Sequence, residues 1–375
     1  MLMCIGIRAQ YAGNQNYTLF EDDFDVPGRT WDESSYYETT GKWRAYFKGS
    51  ITHGTNEHQA YQRSQAVFDD TNDMMLLIAD YVSDVDLTCE DLETPNNHCK
   101  IDTSYHIRFL SGALQSIDKS FLYGYFEIRC KLPVHKGAFP AFWLWGQCRP
   151  ENVGCDEPHY EEIDIFEYSW GITVPNEYSY NDRLGDDRCY TMGMYYNTTG
   201  DSDSLTQKYS VARKNSRLPD NAPSMNDWNT WGCLWMPDKV EWYINDEMVN
   251  SYYDSDSIPH HDLYLMTNYA INNYVCNKTH DVYYHTGTDT MFVDYIRVYQ
   301  PRWDCCSVMI DEQSDMDNYQ HGIKSSVTIA SNNNAPIVVD ESKTIDIMAS
   351  EYVAVNGPFQ VDVGAKFSIT MQKCP

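Results

Sequence analysis

Three observations predict an all-β chain, built as a two-sheet antiparallel sandwich with a smaller β-rich unit behind it. Strand periodicity runs nearly throughout, helical periodicity is almost absent, and thirty Tyr, thirteen Phe and ten Trp in 375 residues form an unusual aromatic load. Alternating or wholly apolar runs bounded by turn residues fall at 123–132, 141–145, 162–168, 190–196, 230–235, 239–244, 263–269 and 291–300. The turn pairs Pro237-Asp238 and Asn245-Asp246 flank one of these runs, which makes 230–249 a three-stranded meander. Parallel β/α units would need helical patterns between the strands, and the sequence has none. Aromatic side chains pack well in β cores, and they also offer flat faces on which sugar rings can lie.

The composition changes after Gln300. Pro301 ends the last strong strand and an acidic polar stretch covers 311–318. Short apolar pairs then recur: Val327 and Ile329, Val338 and Val339, Ile345 and Ile347, Phe359 and Val361, Phe367 and Ile369. Residues 11–302 therefore read as one large domain and 303–375 as a small C-terminal β domain with a structural, tethering or export role. Residues 1–10 read as the remnant of a secretory leader with a small-residue cleavage site near Ala9.

The charge balance, 27 Lys and Arg against 55 Asp and Glu, gives −28. Such a chain repels phosphate backbones and anionic lipid surfaces, so nucleic acid is excluded as a partner. The longest apolar run, 138–145, is far short of the roughly 20 residues of a membrane span. Twelve cysteines, several close together (Cys89 with Cys99, Cys148 with Cys155, Cys305 with Cys306), point to an oxidising compartment. A secreted or cell-surface monomer is the expectation. Loss of Cys4 with the leader leaves eleven cysteines, so at least one thiol stays outside any internal pairing, and the connectivity is open. The Asn-x-Thr triplets at Asn16, Asn197 and Asn277 signify glycosylation only in a eukaryotic secretory host.

The chemistry concentrates in Glu162-Ile163-Asp164-Ile165-Phe166-Glu167. On a strand, Glu162 and Asp164 share one face while Ile163 and Ile165 point into a core. Strict alternation would then expose Phe166 and bury Glu167. One extra residue, a β-bulge, returns Glu167 to the acidic face and buries Phe166. At about 3.3 Å per residue the two glutamates are roughly 13 Å apart along the strand, and inward-leaning side chains bring their carboxyls to about 5–6 Å. That is the separation of a retaining glycosidase pair. On this reading Glu162 is the nucleophile, Glu167 the acid and then the base, and Asp164 steers both from between them. No cofactor is needed for that chemistry.

The sequence around these acids resembles the family 16 glycoside hydrolases. The resemblance rests on Tyr123-Gly124-Tyr125-Phe126-Glu127-Ile128-Arg129, on Lys131-Leu132-Pro133, on 137–146 with its Phe-Trp-Leu-Trp run, and on 162–167. Further matches lie at Asp23-Phe24-Asp25, 56–61, 111–116 and 293–299. The resemblance implies a concanavalin-like β-jelly roll with a concave glycan cleft and retaining endo-hydrolysis of a β-linked polysaccharide. It assigns Glu162, Asp164 and Glu167 to nucleophile, auxiliary acid and acid/base, Trp143 to the cleft floor and Asn56 to the cleft wall. Trp145 projects to the same face as Trp143, while Glu57 reads as internally paired. The resemblance also implies a structural calcium ion on the convex side, held by Glu21 and Asp294.

The bulged motif sets the chain apart from the unbulged lichenase and xyloglucan-active branches. Laminarinase-like members usually carry Gly before the nucleophile and Arg after the Ser-Gly pair, where this chain has Glu161 and Ala113. Agarase-like, porphyranase-like and carrageenan-directed galactanases therefore stay in play beside the β-1,3- and mixed-linkage β-1,3/1,4-glucanases, and a non-catalytic carbohydrate-binding jelly roll is a further alternative. A charge of −28 opposes a sulfated polymer unless a local basic patch such as Arg108 or Lys136 receives it, so a neutral β-glucan is the preferred substrate.

Overall fold

The structure, a computed structural model, describes residues 11–32, 38–45, 57–82, 87–88, 92, 107–135, 137–146, 161–168, 189–197, 208–218, 222–271 and 287–375. Two sheets form the large sandwich. The ten-stranded one runs in the order Glu247–Tyr252, Lys239–Ile244, Asn229–Met236, Gly124–Lys131, Thr288–Pro301, Met74–Tyr81, Phe109–Ser111, Gln59–Tyr61, with Tyr17–Asp22 and Ala66–Asp69 paired at its side. The seven-stranded one runs Lys208–Arg217, Cys189–Asn197, Glu162–Tyr168, Ala138–Trp145, Leu263–Ile271, Ala113–Phe121, Trp43–Arg44. Among the described residues every pairing in the sandwich is antiparallel except Gln59–Tyr61 with Phe109–Ser111. The predicted meander is present: Asn229–Met236, Lys239–Ile244 and Glu247–Tyr252 pair in sequence order. Asn245 and Asp246 both adopt positive φ at its second turn, as a tight hairpin requires.

The inner faces of the two sheets meet in one continuous core. Phe142, Leu144, Ile163, Ile165 and Phe166 of the smaller sheet face Phe126, Ile128, Trp231, Cys233, Trp235 and Trp242 of the larger. Alternation along Ala138–Trp145 turns Ala141, Trp143 and Trp145 the other way, into a separate apolar cluster with Tyr61, Ala113 and Met266. The smaller sheet thus has one face that holds the fold and one available for chemistry.

Residues 303–375 form a different architecture. Ser307–Ile310, Ile323–Ile329, Thr344–Val355 and Lys366–Met371 make a parallel four-stranded sheet, and Ile337–Val339 pairs in parallel with Phe359–Val361. The chain winds between these two sheets, so the apolar pairs stack in register. Ile345 and Ile347 lie beside Phe367 and Ile369, and Ile337 and Val339 beside Phe359 and Val361. A disulfide joins Cys305 to Cys374 and closes this segment. Cys306 is an exposed free thiol, Cys130 and Cys233 are buried free thiols, and Cys89, Cys99, Cys148 and Cys155 lie outside the described residues.

Asn16 rivets the two regions together. Its carbonyl accepts from the Arg302 N–H at 2.9 Å, its Oδ1 accepts from the Gly322 N–H at 2.7 Å, and its Nδ2 donates to the Asp346 carbonyl at 2.8 Å. The side chain is fully buried, so this Asn-x-Thr triplet offers no glycosylation site in the folded chain. The Asn277 triplet lies outside the described residues.

Candidate active site

The bulge expected in the acidic strand is present. Asp164 pairs with Trp143 and Phe166 with Phe142 on one side, while Asp164 pairs with Gly193 and Glu167 with Thr191 on the other, so one extra residue sits in the strand. Ile165 and Phe166 consequently both enter the core, where Phe166 packs on Trp231 at 4.7 Å between ring centroids. Glu162, Asp164 and Glu167 are left on the outward face and line one pocket with Glu57, Phe139, Ala141, Trp143 and Asn268.

Register explains the room around the acids. Reading across the sheet, Thr191, Glu167, Ala141, Asn268 and Ala113 form one row, and Gly193, Asp164, Trp143 and Met266 the next. Small residues beside Glu167 and Asp164 open the pocket, and the single large ring in the second row forms its floor. Glu167 accepts a hydrogen bond from Thr191 Oγ1 at 3.0 Å, and Asp164 is buried. Trp143 Nε1 donates to Asn268 Oδ1 at 2.8 Å, and Asn268 Nδ2 donates to Tyr61 Oη at 2.9 Å, which fixes the indole on the pocket floor.

The remaining candidates divide. Trp145 lies beside Trp143, 5.8 Å between ring centroids, but is not among the residues lining the pocket. Arg108 does not line it either; its backbone pairs with His58 and Val82 at the end of a strand of the larger sheet. Asn56 lies outside the described residues, as does Lys136. Glu57 was expected to be internally paired. It does accept from Gln59 Nε2, and it also faces the pocket as a fourth carboxylate. Asn268 was not singled out from the sequence, although an amide inside the apolar run Leu263–Ile271 was the available signal.

Next to the acids, Glu161 is half-buried with Oε2 enclosed and without a hydrogen-bond partner, and burial pushes its carboxyl up to about 7. Its carbonyl accepts from the Gly146 N–H at 2.9 Å, which ties the entry of the acidic strand to the end of Ala138–Trp145.

Glu21 and Asp294, the calcium ligands that the resemblance implies, each face a guanidinium group. Arg297 Nε lies 3.7 Å from Glu21 Oε2 and its Nη2 bonds both oxygens of Asp23, while Arg129 Nη1 donates to Asp294. Among the described residues no group of three or more His, Cys, Asp or Glu could hold a metal ion.

A jelly-roll sandwich carrying three carboxylates and a tryptophan floor on the open face of one sheet is the equipment of a glycoside hydrolase. The family model for glycosyl hydrolases family 16 matches residues 55–285, and the chain belongs to that family. An endo-1,3-1,4-β-glycanase of Rhizobium meliloti is 24% identical over 47% of this chain, and the match spans 30% of that protein. The chain spans about a third of the length of the curated relatives it matches. Among solved structures, the catalytic domain of an endo-1,3-β-glucanase (laminarinase) from Thermotoga petrophila RKU-1 is 20% identical. It superposes with a TM-score of 0.52, covering 76% of this chain and 98% of that one. Porphyranase B from Zobellia galactanivorans is 16% identical with a TM-score of 0.54, covering 76% and 92%. At these identities the two structures speak for the fold.

Proposed function

We propose that the chain is a retaining endo-β-glycosidase acting on a β-1,3- or mixed-linkage β-1,3/1,4-glucan. The observation that carries this reading is the bulged strand, which brings Glu162, Asp164 and Glu167 to one pocket above Trp143. Glu162 attacks the anomeric carbon and forms a glycosyl-enzyme; Glu167 protonates the departing glycosidic oxygen and afterwards takes a proton from the water that cleaves the intermediate. Asp164, buried between them, hydrogen-bonds the nucleophile in turn and helps keep the acid protonated before attack. Trp143 supplies the apolar face on which a sugar ring rests. A neutral glucan is favoured by the charge of −28 and by the absence of any cationic side chain from the pocket lining among the described residues.

The division of labour proposed is catalysis by 11–302 and a structural, tethering or export role for 303–375. A location outside the cytoplasm is supported by the Cys305–Cys374 disulfide. The assay that tests the function is a panel of laminarin, mixed-linkage glucan, agarose, porphyran and carrageenan, read by reducing ends and product sizes. Rapid shortening of the first two with mid-chain products is expected. A galactanase reading is favoured by Glu161 and Ala113, where laminarinase-like members carry Gly and Arg, and cleavage confined to the galactans would establish it instead.

A further inference from the structure

The C-terminal coil ends on a strand with one neighbour. Lys366–Met371 pairs with Thr344–Val355, and among the described residues no strand pairs with its other side. The Lys366 N–H donates to the Lys343 carbonyl at 3.0 Å and the Gln372 N–H to the Ala349 carbonyl at 2.9 Å, so the even-numbered residues bond to that neighbour. In a regular strand the N–H and C=O groups of Phe367, Ile369 and Met371 then face the open edge. The same three residues stand beside the buried Ile345, Ile347 and Ala349, so their side chains lie on the core side of the sheet. Phe367 meets Phe359 of the other sheet, 4.9 Å between ring centroids. Beyond that contact the cover ends: Ile369 is 46% exposed, Met371 52% and Val361 41%. The core of the coil is open at its last turn, where stacked-repeat folds ordinarily carry a polar cap.

We infer that this edge joins two copies of the chain, by antiparallel pairing of Lys366–Met371 with itself about a two-fold axis at Ile369. That register sets Ile369 opposite Ile369, Phe367 opposite Met371, Ser368 opposite Thr370 and Lys366 opposite Gln372. Apolar side chains meet apolar ones on the core side, polar ones meet on the outer side, and no charge meets its like. The residues whose backbone groups face outward also oppose one another, as hydrogen-bonded antiparallel pairs require. A shift of one residue would set the apolar face of one copy against the polar face of the other. Charge favours a second copy at this edge: the chain carries −28, yet 363–375 holds Lys366 and Lys373 and no Asp or Glu. The strand is ordered in advance, because the Cys305–Cys374 disulfide and the Gln372 backbone bond hold its end. The contact uses no residue of the acidic strand, and it gives a dimer with two catalytic pockets in place of the monomer expected from the sequence.

The test is sedimentation velocity on the full chain, with Cys306→Ser in every sample to remove the exposed free thiol. Over roughly 1–100 µM a species of twice the chain mass should grow with concentration. Ile369→Lys should sediment as the single chain, because the axis sets its two ammonium groups face to face. Met309→Lys, at a position 63% exposed on the opposite edge strand Ser307–Ile310, should leave the dimer intact. Register is read by cross-linking under mild oxidation. Ile369→Cys should join to its copy, since the Cα atoms of a hydrogen-bonded antiparallel pair lie about 5.5 Å apart, within disulfide reach. Val363→Cys, at a position 96% exposed outside the paired strand, should cross-link at least about tenfold more slowly. A chain that stays single up to roughly 100 µM overturns the inference. So does a dimer that persists in folded Ile369→Lys, or a Val363→Cys cross-link as fast as that of Ile369→Cys. If Ile369→Lys fails to fold, the mass of the Cys306→Ser chain and the pair of cross-linking rates still decide.

Discussion

The jelly roll and the C-terminal coil both stack strands over an apolar core, yet they place their side chains by opposite rules. In the antiparallel smaller sheet one face is spent on the core and the other carries Glu162, Asp164, Glu167 and Trp143. In the coil, successive turns put like beside like: Ile347 is fully buried next to Ile369, which at the open edge is 46% exposed. Register in the first region exchanges chemistry for core at each residue. In the second it only repeats the core. A bulge is therefore consequential in one and would be merely disruptive in the other.

The largest effect should separate the two regions outright. Glu162→Gln or Glu167→Gln should each reduce hydrolysis by about a thousandfold or more, with an unchanged circular-dichroism spectrum and melting temperature. Activity within tenfold of wild type in either variant removes that residue from the mechanism. The converse substitution, Ile347→Ala in the coil, should cost roughly 2–5 kcal/mol of stability by urea titration. Its kcat below the transition should match that of the wild type. A fall in kcat without a fall in stability would show that the coil takes part in catalysis.

Much of this contrast is legible in the sequence, and particular residues show why the rest is not. Period two in 162–165 and the apolar Phe166 before Glu167 force a bulge, because no regular strand buries Phe166 and exposes Glu167 together. The recurring pairs after Val327 announce a second β region, but a pair such as Ile345 and Ile347 has the same period in parallel and antiparallel sheets. Its parallel winding emerges only from the stacking of Ile345 beside Phe367, 22 residues on. Glu57 and Asn268 join the pocket through contacts across strands distant in sequence, which periodicity does not report. The ion pairs of Glu21 with Arg297 and of Asp294 with Arg129 are likewise contacts that a sequence does not show.

Within the pocket, Trp143→Ala should weaken binding of an uncleaved oligosaccharide by about 1–3 kcal/mol, by analogy with the loss of base stacking on an aromatic ring. Titration calorimetry on the Glu162→Gln background measures this, and an unchanged affinity would assign Trp143 to packing alone.

A smaller effect concerns Glu161. Its proton is retained in the folded chain up to about pH 7, whereas an ordinary glutamate loses it near 4.5. Between those values the folded state binds more protons than the unfolded one, so stability falls as pH rises through the window. Glu161→Gln should flatten that slope and leave the chain more stable at pH 8, as read by urea midpoints at several pH values. A slope unaltered by the substitution would show that Glu161 titrates normally.

Azide rescue tests the assignment of the two glutamates most directly. Glu162→Ala lacks the nucleophile but keeps the acid, so azide should restore cleavage of an activated β-glycoside by direct displacement and yield the α-glycosyl azide. Glu167→Ala keeps the nucleophile, so azide should intercept the glycosyl-enzyme and yield the β-glycosyl azide. Proton NMR of the two products distinguishes the anomers. The α anomer is expected from the first variant and the β anomer from the second; the reverse pair would exchange the roles of Glu162 and Glu167.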